Sequence, residues 1–254
     1  RKNSLSYRKL RRWVLPAVLG AALSTLAIIP TLAAETQPNT NIAIVTTTEQ
    51  TKTVPSAQGS TSPNGGPNSM APQADADSNT FKGTTIITEN KSIAHESMTN
   101  TTADQNAFIG KNKAVVNIEN SVFDKTGNTT SDDNSNFRGQ NAVVLSIDGS
   151  QINIKGSNIT SNSKGSNAVF ATGENSVINV ENTNIHTKSD SSRGLDATYK
   201  GTVNGKNLTI TTEGAHSATL ATDRGEGTIT AEAAKLTTSG EGSPVIYSTG
   251  NIMV

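Results

Sequence analysis

Few residues in this sequence have the types and spacing that catalysis requires, and the strongest candidates are two adjacent carboxylates, Asp132 and Asp133. Such a pair can supply a general acid and a general base for cleavage of a glycosidic bond. Both lie in a polar segment, residues 126–139, which also contains Asn134 and Asn136. Polar loops of this kind in repeat proteins often form the binding face. We therefore predict a non-catalytic candidate binding loop that presents Asp132, Asp133, Asn134 and Asn136.

Other reactive residue types are scattered along the chain. His95, His186 and His216 have no cysteine or second histidine nearby, so the sequence predicts no zinc site. No serine lies in a G-x-S-x-G elbow. Two Gly-Glu-Gly segments, at 225–227 and 240–242, lack the third glycine and the following helix of a phosphate loop, which favours turns. The sequence therefore predicts no catalytic residue, no metal ion and no cofactor.

A repeated segment organises the rest of the chain. The segment SQINIKGSNIT, which begins at Ser150, recurs as SVINVENTNIHT from Ser176. Four further copies begin at Thr84, Ala114, Gly201 and Gly227. The starts are 30, 36, 26, 25 and 26 residues apart. A period of this length is typical of stacked structural repeats.

Aligned copies share apolar and turn-forming positions. The third residue is β-branched and apolar, and it predicts a core column of Ile86, Val116, Ile152, Ile178, Val203 and Ile229. The seventh residue is asparagine or glycine in five copies: Asn90, Asn120, Gly156, Asn182 and Asn207. Both residue types tolerate the left-handed backbone of a sharp bend, so these five positions predict a column of turns.

Two polar positions also recur. The fourth residue is predicted to form an outward column of stacked amides: Asn117, Asn153, Asn179 and Asn204. The sixth residue alternates in charge through Glu119, Lys155, Glu181 and Lys206, which predicts pairing between neighbouring coils.

Each copy continues through a polar turn into a further apolar run, so one repeat contains three short strands. Short strands bury a face only when identical faces stack from coil to coil. The sequence therefore predicts an all-β fold, a parallel β-helix of three sheets with about 25 to 26 residues per coil. Its predicted hand is right, because parallel crossover connections are almost always right-handed.

On these columns, residues 84–254 resemble the right-handed parallel β-helix proteins of the pectate-lyase-like superfamily. More narrowly, they are similar to bacterial adhesin-like surface proteins and autotransporter passenger regions. The resemblance implies a non-catalytic stalk and binding surface for a glycan, a host surface or a neighbouring cell. Two alternatives stay open: a carbohydrate-active enzyme whose catalytic coils are missing or degenerate, and a self-associating scaffold.

The enzyme alternative lacks its expected motifs. Polygalacturonase-like members carry an N-x-D, an adjacent aspartate pair, a G-H-G and an R-x-K in that order. Here no N-x-D precedes Asp132, Ser217 follows His216 in place of glycine, and no R-x-K follows. Pectate lyases need calcium-binding carboxylates beside a basic residue, whereas Asp148 and Glu174 fall in predicted turns without an Arg or Lys column. The sequence therefore favours a protein that is not an enzyme.

The first 34 residues read as a secretory signal peptide. Six basic residues precede an apolar run and a small-residue end, which predicts cleavage after Ala33 or Ala34. A membrane anchor is the alternative. Residues 35–80 are rich in Thr, Ser, Pro and Gly and predict a flexible segment, within which residues 41–46 favour either a short paired strand or a cap on the first coil. The β-helix is predicted over 81–254 and is expected to continue further.

Charge and composition narrow the expected partners. Removal of residues 1–34 leaves 15 basic against 21 acidic residues, a net charge of −6, which argues against nucleic acid. The 254-residue chain has no cysteine. We expect a secreted or cell-surface protein that meets a membrane only through its signal peptide or a C-terminal anchor outside this sequence.

Overall fold

The computed structural model describes residues 44–47 and 80–254. The predicted signal peptide, its cleavage at Ala33 or Ala34, and nearly all of the predicted flexible segment lie outside the described residues. Within them, the chain forms three parallel sheets of seven strands each. The all-β, three-sheet solenoid predicted from the repeats is therefore confirmed.

The solenoid contains twenty-one short strands and one helix among its described residues. The first strands in chain order are β1 (Ile44–Thr47), β2 (Gly83–Ile87), β3 (Lys91–Ala94), β4 (Ser97–Asn100), β5 (Asn106–Gly110), β6 (Val115–Glu119) and β7 (Val122–Lys125). Helix α1 (Asp132–Arg138) follows, and then β8 (Val144–Ser146), β9 (Gln151–Lys155), β10 (Asn158–Ser161), β11 (Val169–Thr172), β12 (Val177–Glu181), β13 (Asn184–Thr187) and β14 (Leu195–Thr198). The last strands are β15 (Thr202–Lys206), β16 (Thr209–Thr212), β17 (Leu220–Thr222), β18 (Thr228–Glu232), β19 (Lys235–Thr238), β20 (Ile246–Ser248) and β21 (Asn251–Met253).

Each coil contributes one strand to each sheet. Sheet A has the order β1-β19-β16-β13-β10-β7-β4, sheet B the order β2-β5-β8-β11-β14-β17-β20, and sheet C the order β21-β18-β15-β12-β9-β6-β3. Apart from β1 and β19, neighbouring strands come from successive coils, and all the pairs are parallel. The chain therefore runs through sheets C, A and B in turn, and residues one coil apart stack about 4.8 Å from each other.

The inward side chains of sheet C form the predicted core column. Five of its six predicted members align in register and are 0% exposed: Val116, Ile152, Ile178, Val203 and Ile229. At the second inward position of the same strands, β15 carries Gly205, which has no side chain. A Cβ atom there would lie 2.6 Å from Leu208 Cδ1, so Leu208 occupies the space that a larger residue would fill. The core is thus continuous although the repeat is imperfect.

The predicted register of the first copy is wrong. Ile86 lies in β2, pairs with Ile109 in sheet B and is 40% exposed. The residue aligned with Val116 is Lys91. The copy therefore starts at Glu89 instead of Thr84, and its spacing to the next copy becomes 25 residues. The run that contains Ile86 alternates like any other strand, so its pattern could not distinguish sheet B from sheet C.

The short strand predicted over residues 41–46 is found at 44–47, but it does not cap the first coil. Strand β1 pairs in parallel with β19, and Val45 is aligned with Leu236. Its partner is thus a strand of sheet A far along the solenoid. Strand pairing depends on backbone hydrogen bonds, which carry little sequence information, so the sequence alone did not identify this partner.

The predicted loop at residues 126–139 contains helix α1. The Ser131 side chain accepts a hydrogen bond from the Asn134 backbone N–H at 3.3 Å and caps the helix. Asp132 and Asp133 occupy the first turn, where carboxylates favour the positive end of the helix dipole. Gly139 ends the helix with a left-handed φ of 74°. These cap residues were a sequence signal for the helix, and the interpretation as a loop missed it.

Helix α1 lies against the outer surface of sheet B. A second, smaller core lies on this side: the sheet contributes Ile109, Leu145 and Phe170, and the segments beside its strands contribute Phe81, Ala142 and Ile147. A Cβ atom on Gly139 would lie 2.6 Å from Leu145 Cδ1 and 2.7 Å from Phe170 Cδ1, so the end of the helix touches this core. Sheet B is therefore buried on both sides where the helix covers it.

Candidate binding surface

The outer surface of sheet C carries two regular columns of polar side chains, which together we call the sheet C face. One column contains Asn117, Asn153, Asn179, Asn204 and Thr230. The other contains Glu119, Lys155, Glu181, Lys206 and Glu232. Alternation along each strand directs these residues outward and their neighbours into the core.

The first column forms a continuous amide ladder. Asn153 Nδ2 donates to Asn117 Oδ1 at 2.8 Å, and Asn179 Nδ2 donates to Asn153 Oδ1 at 2.7 Å. Asn204 Nδ2 donates to Asn179 Oδ1 at 2.9 Å, and Thr230 Oγ1 donates to Asn204 Oδ1 at 2.9 Å. Each of the three bonds between asparagines uses one of the donor's two amide protons and leaves the second free to bind another molecule. The predicted outward amide column is confirmed.

The second column alternates in charge. Lys155 Nζ lies 3.7 Å from Glu181 Oε2, and Lys206 Nζ lies 3.6 Å from Glu232 Oε2. Both pairs are about half exposed, so each adds only a few tenths of a kcal/mol to stability. Of the predicted pairs, Lys155–Glu181 is confirmed, whereas Glu119–Lys155 and Glu181–Lys206 do not lie within 4.0 Å in the described structure. The Lys206–Glu232 pair extends the alternation to a coil for which it was not predicted.

A shallow groove of about 530 Å³ runs along these columns. Its lining includes Asn153, Asn179 and Asn204 from the amide ladder and Lys155 and Glu181 from the charged column. Hydrogen-bonding groups recur along its floor at each coil, about 4.8 Å apart. The groove can therefore accept an extended polymer whose polar groups repeat along its length.

The bend between sheets C and A contains four of the five predicted turn residues. Asn120, Gly156, Asn182 and Asn207 have left-handed φ angles between 48° and 62°. Asn90 does not belong to this column, because His95 occupies the bend of the first coil with a φ of 59°. Side chains bond along the column only where Asn207 Nδ2 donates to Asn182 Oδ1 at 3.1 Å. These residues shape the bend, and Gly156 interrupts any longer ladder.

The four residues of the predicted binding loop all lie on helix α1, but they serve different purposes. Asp132 is exposed and its Oδ1 lies 3.0 Å from Lys164 Nζ, and Asp133 is also exposed. Asn134 supplies the N–H that Ser131 caps. Asn136 Oδ1 accepts a hydrogen bond from Arg193 at 3.2 Å. The Asn134 backbone and the Asn136 side chain therefore help to hold the helix in place, and the two aspartates are the most exposed of the four residues.

Beneath the helix lies a charged cluster that the sequence did not reveal. Arg193 Nη1 lies 3.0 Å from Asp196 Oδ2, and Arg193 Nη2 lies 3.6 Å from Asp223 Oδ2. Two contacts fasten the helix above it: Thr198 Oγ1 donates to the Phe137 carbonyl at 2.9 Å, and Arg224 covers the Phe137 ring at 3.6 Å. The cluster and these contacts thus join the helix to two neighbouring coils, those of β14 and β17.

This cluster is the nearest approach to an aspartate-based active site among the described residues. Burial raises the pKa of Asp196 to about 7, the nearby Arg193 opposes this shift, and Asp223 adds to it. The Asp196 side chain is 0% exposed, and its Oδ1 has no hydrogen-bond partner. A substrate cannot reach this carboxyl group while helix α1 covers it. The geometry therefore fits a structural cluster.

A buried lysine also lies at the base of the helix-containing segment. Lys125 is fully buried, and its Nζ donates to the carbonyls of Thr102 at 3.0 Å and Gly127 at 2.8 Å. Burial lowers the pKa of Lys125 to about 8, and the charge of Asp104 opposes this shift. Its bonds tie two coils together where residues 126–139 leave the solenoid.

The histidines remain apart from one another. His95 and His216 lie in bends with left-handed φ angles of 59° and 55°, and His186 Nε2 lies 2.7 Å from Glu213 Oε1. Among the described residues, no three of His, Asp and Glu are close enough together to bind a metal ion. In the same part of the chain, no helix has the length and apolar composition needed to cross a membrane.

Comparison with known proteins adds no assignment to this geometry. No protein-family model, no curated protein and no solved structure matches the chain.

Proposed function

We propose that this protein is an exported, cell-surface or secreted adhesin-like protein whose solenoid binds without catalysis. The ordered sheet C face is the observation that carries the proposal. Its amide ladder is held in place by side-chain hydrogen bonds before any ligand arrives, so binding costs little ordering entropy. Export is supported by the basic and apolar pattern of residues 1–34.

We propose an uncharged or weakly charged glycan as the ligand, on a host or neighbouring cell. A glycan offers hydroxyl groups along an extended chain, and these match free amide protons that recur at each coil. The charged column holds three glutamates and two lysines, so it gives a strongly charged polymer no net attraction. A polyuronate, the ligand type expected for the enzyme alternative, is therefore the poorer fit.

The experiment measures adhesion of the full-length protein to immobilised cell-surface glycans. An Asn153→Ala/Asn179→Ala variant removes the centre of the ladder. A matched control, Asn158→Ala/Asn184→Ala, removes an amide pair of sheet A that is joined by a 3.1 Å bond. The first variant is expected to weaken binding about threefold to tenfold per lost asparagine, and the control to bind like wild type. Equal binding by both variants and wild type contradicts this role of the sheet C face.

Two further assays address the other parts of the proposal. Deletion of residues 1–34 is expected to retain the protein inside the producing cell, as cell fractionation would show. Incubation with pectin-like polymers is expected to release no fragments. Cleavage that disappears in the Asp132→Ala/Asp133→Ala variant would establish the enzyme alternative instead.

A further inference from the structure

The charged column of the sheet C face alternates without interruption over five coils. Glu119, Lys155, Glu181, Lys206 and Glu232 stack in register, one residue from each coil. Among the described residues, only two of the four neighbouring pairs are within 4.0 Å of each other. The ionised groups of these two pairs are about half exposed. Pairing within the chain therefore leaves charge available to another molecule.

A column of alternating charges can pair with an identical column so that opposite charges face each other, and a column of one charge cannot. Two identical copies can face each other about a two-fold axis that lies along the strand direction. Such an axis places each column of one copy opposite the same column of the other copy, with the coils of the two copies in opposite order. If the axis passes between two coils, every odd coil faces an even coil of the other copy, so each glutamate faces a lysine. Parallel copies would instead place like charges opposite each other.

We propose that the sheet C face is a self-association surface on which a second copy docks antiparallel, with the two-fold axis between the coils of Glu181 and Lys206. Glu181 then faces Lys206 of the second copy, and Lys155 faces Glu232 of the second copy. Each of these contacts occurs twice because the interface is isologous, which gives four complementary pairs.

The amide ladder fits the same arrangement. With this axis, Asn179 faces Asn204 of the second copy, and Asn153 faces Thr230 of the second copy. Asn153, Asn179 and Asn204 each use one amide proton within their own chain, so a second proton remains on each for a bond across the interface. The groove along the columns therefore carries groups that are complementary to their own copies in both charge and hydrogen bonding.

The size of the face sets the expected strength. Five strands about 4.8 Å apart and about five residues long cover roughly 400 Å² on each copy. The total buried area is about 800 Å², below that of stable dimers, so a single contact is weak and reversible. Many copies on one surface would add avidity to weak contacts. This inference rests on the sheet C face alone and does not require the proposed glycan binding.

The test uses two variants of the full-length protein that remove the alternation in opposite ways. Lys155→Glu/Lys206→Glu makes the column wholly acidic, and Glu119→Lys/Glu181→Lys/Glu232→Lys makes it wholly basic. Sedimentation velocity at low salt is expected to show concentration-dependent dimers for wild type. Each variant alone is expected to associate more than about tenfold more weakly, because like charges now face each other. A mixture of the two is expected to form heterodimers.

Several outcomes overturn the proposal. Wild type that stays monomeric at the highest attainable concentration excludes the contact, and a wholly acidic variant that still dimerises excludes this face. Failure of the mixture to associate excludes the antiparallel pairing of the column. Circular dichroism and thermal melting verify that both variants fold. Because no glycan is present, a negative result here leaves the proposed glycan binding intact, and failure of glycan binding leaves this inference intact.

Discussion

Sheets B and C are built from the same kind of short parallel strand, yet their outer surfaces differ in composition. The outward column of sheet B contains Ile109, Leu145 and Phe170, all 0% exposed, and helix α1 lies against it. The outward columns of sheet C contain amides and alternating charges in contact with solvent. One insertion, residues 126–139, accounts for the difference, because it supplies the helix that covers sheet B.

The contrast shows how to recognise a covered face in a stacked fold. Inward positions are mostly apolar in every sheet, so they do little to distinguish one face from another. Outward positions carry no such requirement, and an outward column that is apolar needs a cover to keep it from water. A bare face of hydrogen-bonded polar columns can instead serve binding. The predictions below test whether sheet B contributes to stability while sheet C serves function.

The largest expected effect comes from the covered face. Phe170→Ala removes a fully buried ring that touches both Leu145 and the end of helix α1, and it leaves a cavity. We expect a loss of about 3–5 kcal/mol in unfolding free energy, measured by chemical denaturation. Val177→Ala, a partly exposed outward position on sheet C, is the matched control and should cost less than about 1 kcal/mol. Equal losses would remove the distinction between the two faces.

A pH profile should separate the buried cluster from the exposed ion pairs. The pKa of Asp196 is raised to about 7, so between pH 4 and pH 7 the native state binds a proton that the unfolded chain releases. Stability should therefore fall as pH rises through this interval, by at most about 1.4 kcal/mol per pH unit. Asp196→Asn should flatten the profile measured by denaturation between about pH 4 and pH 7.

The control for this profile is Glu181→Gln, which removes an exposed carboxylate of the sheet C face. Because water and salt screen that group, its variant should retain the wild-type pH dependence. An Asp196→Asn profile parallel to that of wild type would mean that Asp196 stays ionised beneath the helix.

A smaller effect is expected where helix α1 ends. Gly139→Ala places a Cβ atom at a left-handed φ of 74° and within 2.7 Å of Leu145 and Phe170. We expect thermal melting to show a loss of about 1–3 kcal/mol, from backbone strain plus displacement of these side chains. Gly149→Ala has a similar φ of 67° but no atom closer than 3.6 Å to the new Cβ, so it isolates the strain. Equal losses would mean that the helix end does not pack on sheet B.

The sequence predicted the solenoid because its signal is repeated. Val116, Ile152 and Ile178 recur at one position, so agreement among copies compensates for the weakness of each short strand. The same averaging explains the error at Ile86. The first coil carries Lys91, which is exposed there, at the position where later coils need an aliphatic residue. The apolar pattern of the later copies therefore aligns best with the nearest apolar run of the first coil, which contains Ile86.

The candidate site was predictable only where it repeats. The amide ladder and the charged column were visible as columns, whereas the cluster of Arg193, Asp196 and Asp223 occurs once. Asp196 lies three residues after Arg193, Asp223 lies on the next coil, and helix α1 adds Asn136, which lies 57 residues before the arginine that binds it. A contact that occurs only once leaves no periodic pattern in the sequence. Its local signal was Asp196, the one charged residue of strand β14, where an unpaired buried carboxylate would be costly.

The smallest effect is expected on the sheet C face, in contrast to the covered outer surface of sheet B. Asn179→Ala removes two ladder bonds, of 2.7 and 2.9 Å, from a partly exposed position. Water can replace these bonds in the native state, so the unfolding free energy should fall by only about 0.5–1 kcal/mol. Urea denaturation measures this loss, and Asn184→Ala on sheet A, which removes one bond of 3.1 Å, is the control. A loss as large as that of Phe170→Ala would mean that the ladder is a structural support and would weaken its assignment as a binding surface.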